Sequence, residues 1–245
     1  MEGELRGLFE QSAGFVTGIA LVSSGKTPAV IAGVFLLGAV YARNLEFAHQ
    51  CLHNTAFGSR RANRIIGTIL SLPMLVSFTE WRREHMQHHR DVRREGFRYE
   101  LDRLTTKREL LLHIFMVRHF LSNGRIVAAA GLAGALGLLL RSPLPVLLVL
   151  APLPVAALVH THIELPEHLD CERSSRDALR NSRVMRAGPL VTWFVHFNNY
   201  HAVHHWKAGV PNRKLPVAYR TAPVAFAKSS YAAFYRSFYR RFFGG

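Results

Sequence analysis

Eight histidines fall in three short clusters, and the stretches between and around them include charge-free runs that approach the length of a membrane span. The clusters are His49 and His53 in HQCLH, His85, His88 and His89 in HMQHH, and His201, His204 and His205 in HAVHH. On an α-helix, positions i, i+3 and i+4 share a face, so each HxxHH triplet can turn its imidazoles into one volume. His49 and His53 add an i,i+4 pair. With 14 histidines in 245 residues, one HxxHH is expected by chance about 0.05 times, so two copies mark a site. Neutral imidazole is the commonest protein metal ligand, and a first-row ion rarely takes more than about six donors, so eight or nine converging rings suit two metal ions better than one.

Such a site constrains the fold, because all three clusters must reach the same side of any bilayer. Hydrophobic residues make up 49% of the chain, and the charge-free runs are 11–25, 27–42, 65–79, 126–140 and 142–159. If all five crossed, the first and second clusters would lie on opposite faces. Run 65–79 separates those two clusters, follows Asn63 and Arg64 and contains Pro73, so it is expected to lie in or on the interface. The other four make two hairpins, turning at Lys26 and at 141–143. The expected fold is all-α: a single domain over 1–245, integral to the membrane and multi-pass, with four transmembrane helices in two hairpins, interfacial helices and a cap carrying the histidines. In this arrangement 29 of the 31 Lys and Arg residues fall on the histidine side, leaving only Lys26 and Arg141 opposite. The positive-inside rule then places the clusters in the cytoplasm.

The net charge of +15 follows from the same asymmetry, and it suits anionic lipid and an acidic soluble partner. No basic fold module accompanies the spans, which argues against nucleic acid. The tail 229–243 interleaves Tyr and Phe with Arg and reads as a helix resting on headgroups. Trp81, Trp193 and Trp206 read as interfacial anchors. Cys51 and Cys171 both belong to the reducing side, so no disulfide is expected. The first apolar run lacks a basic leader and an A-x-A site, so no cleavable signal peptide is expected.

In the order HxxxH, interfacial helix, HxxHH, span hairpin, HxxHH, the chain resembles the membrane-bound fatty acid desaturase superfamily, which also holds hydroxylases and carotenoid ketolases. The resemblance runs over about 43–220 and is carried by HNTAFGSRRAN, EWRREHMQHH and NNYHAVHHWKAGVPNRKLP. It implies two iron ions that activate O2, the co-substrate, with electrons from a separate ferredoxin- or cytochrome-type donor and its reductase, to desaturate the alkyl chain of a fatty acyl or related lipid-like substrate. By position it makes the eight cluster histidines iron ligands. A ninth is expected after the last span, where ELPEHLDCE favours His168; His160 and His162 are nearer the span end and suit the cavity wall. Asn198 or Asn199 would hold a metal-bound water. The chain departs from common relatives at Val203, at Trp206 and in RDVRREGFRYELD after the second cluster, which bears on the substrate rather than the chemistry.

Abstracting hydrogen from an alkyl C–H bond is beyond any side-chain acid or base and needs a redox metal. Glu46, Glu80, Glu84, Asp91, Glu164, Glu167 and Asp170 are near enough in sequence to orient the rings through their other nitrogen. Hydroxylation or ketolation of a lipid, carotenoid or specialised metabolite is the alternative outcome on the same scaffold. A metal transporter would place its ligands at mid-membrane, and these clusters fall at span ends. A carboxylate-bridged bundle needs two Glu-x-x-His pairs; Glu46 with His49 supplies one.

Overall fold

The computed structural model describes residues 2–92, 104–172, 177 and 179–244. Most of the divergent RDVRREGFRYELD stretch lies outside them. The described chain is helical apart from one short parallel pair, β1 (Val184–Arg186) and β2 (Lys228–Ser230), which aligns Met185 with Ser229.

Helices α1 (Glu2–Ser23) and α2 (Thr27–Leu52) form the first hairpin, turning through Gly25 at φ +69°. Their contact is close: a Cβ on Gly33 would lie 2.8 Å from the Val22 backbone nitrogen, which only glycine permits. Nothing between Ala39 and Leu52 is Gly or Pro, so α2 does not stop where its charge-free run ends at Ala42. It continues, fully buried, to Leu52 and carries the first histidine cluster on the same rigid rod. At about 1.5 Å per residue, the ten residues beyond Ala42 extend that rod by about 15 Å.

Run 65–79 is not one helix. Helix α3 (Arg60–Ser71) passes through a 3-10 turn containing Pro73, Leu75 takes a left-handed φ of +56°, and Ser77 caps the new helix α4 (Phe78–Asp91). The two segments meet at a bend of 100°. Downstream, α5 (Lys107–Ile114) and α6 (Val117–Ser122) lead into α7 (Gly124–Leu139), then α8 (Leu144–Val149) and α9 (Pro152–His168), followed by the short helices α10 (Pro189–Phe194), α11 (His201–Trp206) and α12 (Leu215–Arg220). Pro152 and Pro154 open α9 at its first turn, where a missing N–H costs nothing.

Among the described residues two helical stretches are long and apolar enough to cross a membrane, Thr27–Leu52 and Leu144–His168, and a third qualifies if the bent pair counts as one span. Four spans were expected. Helix α1 is 22 residues long, but its first half carries Glu2, Glu4, Arg6 and Glu10; α7 is apolar but only 16 residues long. Large apolar side chains on outward faces, among them Phe9, Phe35, Leu132 and Leu138, are exposed. Apolar side chains exposed on these helices suit lipid, and with the two apolar helices they indicate a membrane protein.

The C-terminal helix α13 (Tyr231–Phe243) corrects the reading of the tail as a headgroup anchor. Phe234, Phe238 and Phe242, at i, i+4 and i+8, are buried against Leu110, Leu165, Leu169 and Met185. Its aromatic face is spent on the protein's own core. Pro166 inside α9 explains part of this docking. It lacks the N–H that would reach the His162 carbonyl, and the Tyr235 hydroxyl of α13 donates to that oxygen at 2.5 Å instead. Trp193 is likewise held by the protein: its Nε1 donates to Glu10 at 2.8 Å, and the Arg43 guanidinium stacks 4.0 Å above its ring. Phe238→Ala should lower stability by about 3–5 kcal/mol, read as a fall in melting temperature in detergent micelles. A helix that merely rested on lipid would show no such loss there.

Candidate metal centre

Four segments deliver nine histidines to one buried volume. The end of α2 brings His49, with His53 as its C-cap residue. Helix α4 brings His85, His88 and His89, and α9 ends on His168. Helix α11 (His201–Trp206) brings His201, His204 and His205.

The rings form two groups. His49, His53, His85, His89 and His204 make one, and His88, His168, His201 and His205 the other, each with its ligand nitrogens within 4.8 Å of one another. Each triplet is therefore divided. Helix α4 gives its i,i+4 pair, His85 and His89, to the first group and His88 to the second; α11 gives His201 and His205 to the second and His204 to the first. Across the divide the His89 and His205 rings stack with centroids 4.2 Å apart.

Neighbouring Nε2 atoms lie 2.8 Å apart for His49–His85 and His53–His85, and 3.0 Å for His85–His89 and His89–His204. In the second group the spacings run from 2.9 Å for His168–His201 to 3.3 Å for His88–His205. Mutual hydrogen bonds account for only part of this, since His85 Nε2 faces three other Nε2 atoms and a single N–H serves one of them. A neutral imidazole has one N–H, and the Nδ1 of His168 uses it on the Asn181 carbonyl at 2.8 Å, which leaves Nε2 a bare lone pair. Several lone pairs about 3 Å apart repel unless a cation sits among them. Two nitrogens each about 2.1 Å from one ion and at right angles to each other would be about 3.0 Å apart. The donor set fits two first-row metal ions.

Burial and the charge of neighbouring imidazoles hold His85, His88, His201, His204 and His205 well below the usual histidine range. Burial, then His49 and Arg82, push His53 down to about 3. These rings are neutral at physiological pH, as metal ligation requires.

The carboxylates expected nearby divide by position. Glu167 Oε2 lies 3.2 Å from the Nδ1 of His201, and Asn198 Nδ2 bridges Glu167 at 2.8 Å and Glu46 at 3.0 Å. These three groups tie α2, α9 and the residues before α11 into one frame, which orients the rings from behind. Glu164 and Glu84 line the adjoining cleft. Asp91 lines it too and accepts from Gln87, whereas Glu80 pairs with Arg125 and Asp170 with Arg241.

Neither His160 nor His162 joins the two groups. His160 lies between Glu46 at 3.1 Å and Glu164 at 3.2 Å. His162 faces away, hydrogen-bonded to the Tyr239 hydroxyl and stacked on Tyr235. Asn198 lines the cleft, whereas Asn199 donates to the Met185 carbonyl at 3.0 Å. Cys51 is a free thiol buried in an apolar cluster with Phe47 and Leu52, outside both groups.

A buried network beneath the first cluster has no counterpart in the sequence reading. Gln50 Nε2 donates to Glu4 at 2.9 Å, and Glu4 also lies 3.4 Å from both His196 Nε2 and Arg213 Nε. It pins the start of α1 to α2 and to the segment flanking α11. Its members are single residues spread over more than 200 positions, so no local spacing marks them.

A family model described as fatty acid desaturase matches the chain over residues 26–122 and 94–238. No curated protein sequence gives a significant match. If the two groups hold separate ions, His204→Ala and His88→Ala should each reduce bound metal from two ions per chain to one. Elemental analysis of purified protein reads the ratio, and an unchanged ratio in either variant would contradict the grouping.

Proposed function

The chain belongs to the fatty acid desaturase family, and on that premise we propose that it is a membrane-bound, O2-dependent di-iron oxidoreductase that removes hydrogen from an unactivated C–H bond of an alkyl chain. The observation that carries this reading is the division of nine imidazoles into groups of five and four around two points. Zinc cannot change oxidation state, so a redox metal such as iron is what an oxidative reaction requires. Bound there, an iron pair supplies the oxidising power that no side chain has. For desaturation, a –CH2–CH2– unit and O2, with two electrons and two protons, give –CH=CH– and two waters.

The chain's own groups hold and shape that site. The Asn181 carbonyl fixes the orientation of His168 through Nδ1, and the Glu167 carboxylate stands 3.2 Å from the Nδ1 of His201. A cleft of about 650 Å³ opens against both histidine groups between Leu45, Trp81 and His160, and offers the substrate a place beside them.

In the proposed topology α1 and α7 complete two hairpins with the longer apolar helices. The bend between α3 and α4 turns the chain back, which keeps the first two clusters on one side. The excess of Lys and Arg on that side supports a cytoplasmic location.

Electrons would come from a separate acidic carrier. Helix α4 carries Arg82, Arg83 and Arg90, which with Arg60 and Arg64 line a groove of about 710 Å³ whose described lining contains no carboxylate. Arg82 Nε also donates to the Leu52 carbonyl at 2.8 Å, beside His53.

Cells expressing the chain should accumulate a lipid-like product two mass units below its precursor, absent with the His204→Ala variant. A gain of one oxygen instead would make the reaction a hydroxylation, and no difference from the variant would refute the proposal. With a reconstituted ferredoxin, turnover should fall as ionic strength rises, and Arg64→Glu should raise the KM for the carrier at unchanged metal content. A KM insensitive to both would remove the docking face.

A further inference from the structure

The oxidation proposed above consumes two protons per turnover, and a cleft filled by an apolar substrate excludes the water that would bring them. Three side chains lead inward past that block. Glu164 on α9 lines the cleft beside the histidines and also two further cavities, of about 890 Å³ and 420 Å³. His160, one turn earlier on α9, lines the cleft and the larger of those cavities, and Glu46 on α2 lines the cleft alone. Exposure falls in the same order: the side chains of Glu164, His160 and Glu46 are 43%, 8% and 2% exposed. Other charged or titratable groups flank the series at both ends. Glu84 of α4, His113 of α5 and His119 of α6 line the outer cavities with Glu164, where Glu80 pairs with Arg125 and Glu109 with Arg118. Glu167, Asp91 and Arg83 line the cleft.

The three groups are in hydrogen-bond reach of one another. Glu164 Oε1 lies 3.2 Å from the Nε2 of His160, and Glu46 Oε1 lies 3.1 Å from its Nδ1. His160 belongs to neither metal group, so both of its nitrogens serve these contacts. Each contact is a hydrogen bond only if a proton lies in it. A neutral imidazole brings one N–H and two carboxylates bring none, so the triad holds one proton more than a neutral ring supplies. With that proton on the ring, both contacts become charge-assisted bonds. Asn198 Nδ2 donates to the other oxygen of Glu46 at 3.0 Å, which fixes the inner end. We propose that Glu164, His160 and Glu46 relay protons from the outer cavities into the cleft. His160 Nδ1 releases a proton to Glu46 Oε1, which passes it into the cleft; the remaining ring proton moves to the inner nitrogen by tautomer exchange; and Glu164, protonated by water in the outer cavities, refills the outer nitrogen. One proton enters for each that leaves, so the charge of the triad is restored. The relay rests on the cleft being the oxidation site, and it makes the three side chains proton carriers rather than ligands.

One readout needs no turnover. In the full-length, zinc-loaded protein in nonionic detergent, nuclear magnetic resonance of nitrogen-labelled histidine should show at neutral pH a ring protonated on both nitrogens, lost in His160→Gln and weakened in Glu164→Gln, with metal content measured on each sample. No such signal in the native chain would overturn the relay. The second readout is kinetic, on the iron-loaded protein. His160→Gln and Glu164→Gln should each keep two ions and the substrate KM of the native chain while kcat falls roughly a hundredfold, and Glu164→Asp, which still carries a proton, should recover most of the loss. Unchanged kcat in both Gln variants would overturn the relay and leave the oxidation reading intact. Loss of ions or a raised KM in both would also overturn it, since the triad would then be a brace. A native chain that shows the doubly protonated ring but forms no oxidised product would support the stored proton and refute the oxidation reading.

Discussion

Nine imidazole Nε2 atoms, each within about 3 Å of another, are the condition that the rest of this molecule has to satisfy. Without positive charge between them they repel, and burial removes the water that would otherwise screen or protonate them. Such a cluster persists only if each ring is held from behind by something that does not yield. That requirement accounts for the rigid extension of α2 past its apolar portion, for the carboxylates and amide that brace the second group, and for the close helix contacts beneath. A Cβ at Gly38, for instance, would fall 2.5 Å from Val155 Cβ on α9, so the two long apolar helices that carry His49 and His168 meet nearly backbone to backbone.

Division of each triplet between two groups is a consequence of helical geometry. Residues i and i+4 differ by about 40° around the axis, and i+3 lies on the other side of the first. A pair at i,i+4 can therefore share one ion while the remaining ring turns to the next. Helices α4 and α11 do this in complementary fashion, so each contributes to both groups and neither group forms without both helices. The stacked rings of His89 and His205 mark the seam.

The C-terminal part of the chain closes this core from outside. Pro166 frees a carbonyl in α9, and Tyr235 takes it up. The Phe row of α13 then buries Leu165 and Leu169, on either side of His168. An amphipathic helix rich in Arg and aromatic residues can be satisfied by lipid or by protein, and its periodicity is the same in both cases. Here Met185 and Leu110 supply the apolar surface that the sequence reading assigned to headgroups.

Local spacing alone determined a good deal about this protein. The i, i+3, i+4 pattern of His85, His88, His89 and of His201, His204, His205 is a property of neighbours on one helix, and so is the break at Pro73. The apolar runs around 27–42 and 142–159 were readable because burial or lipid demands composition, whatever the partner. Only the tertiary structure decided which ring joins which group, that His168 converges while His160 and His162 do not, and that Glu46, Asn198 and Glu167 form one brace. Those outcomes depend on where separate helices cross, and residues such as Glu4, Gln50, His196 and Arg213 meet across most of the chain's length without any periodicity to announce it. The same reason explains the tail: amphipathicity fixes that a face will be buried, and the docking of other elements decides against what.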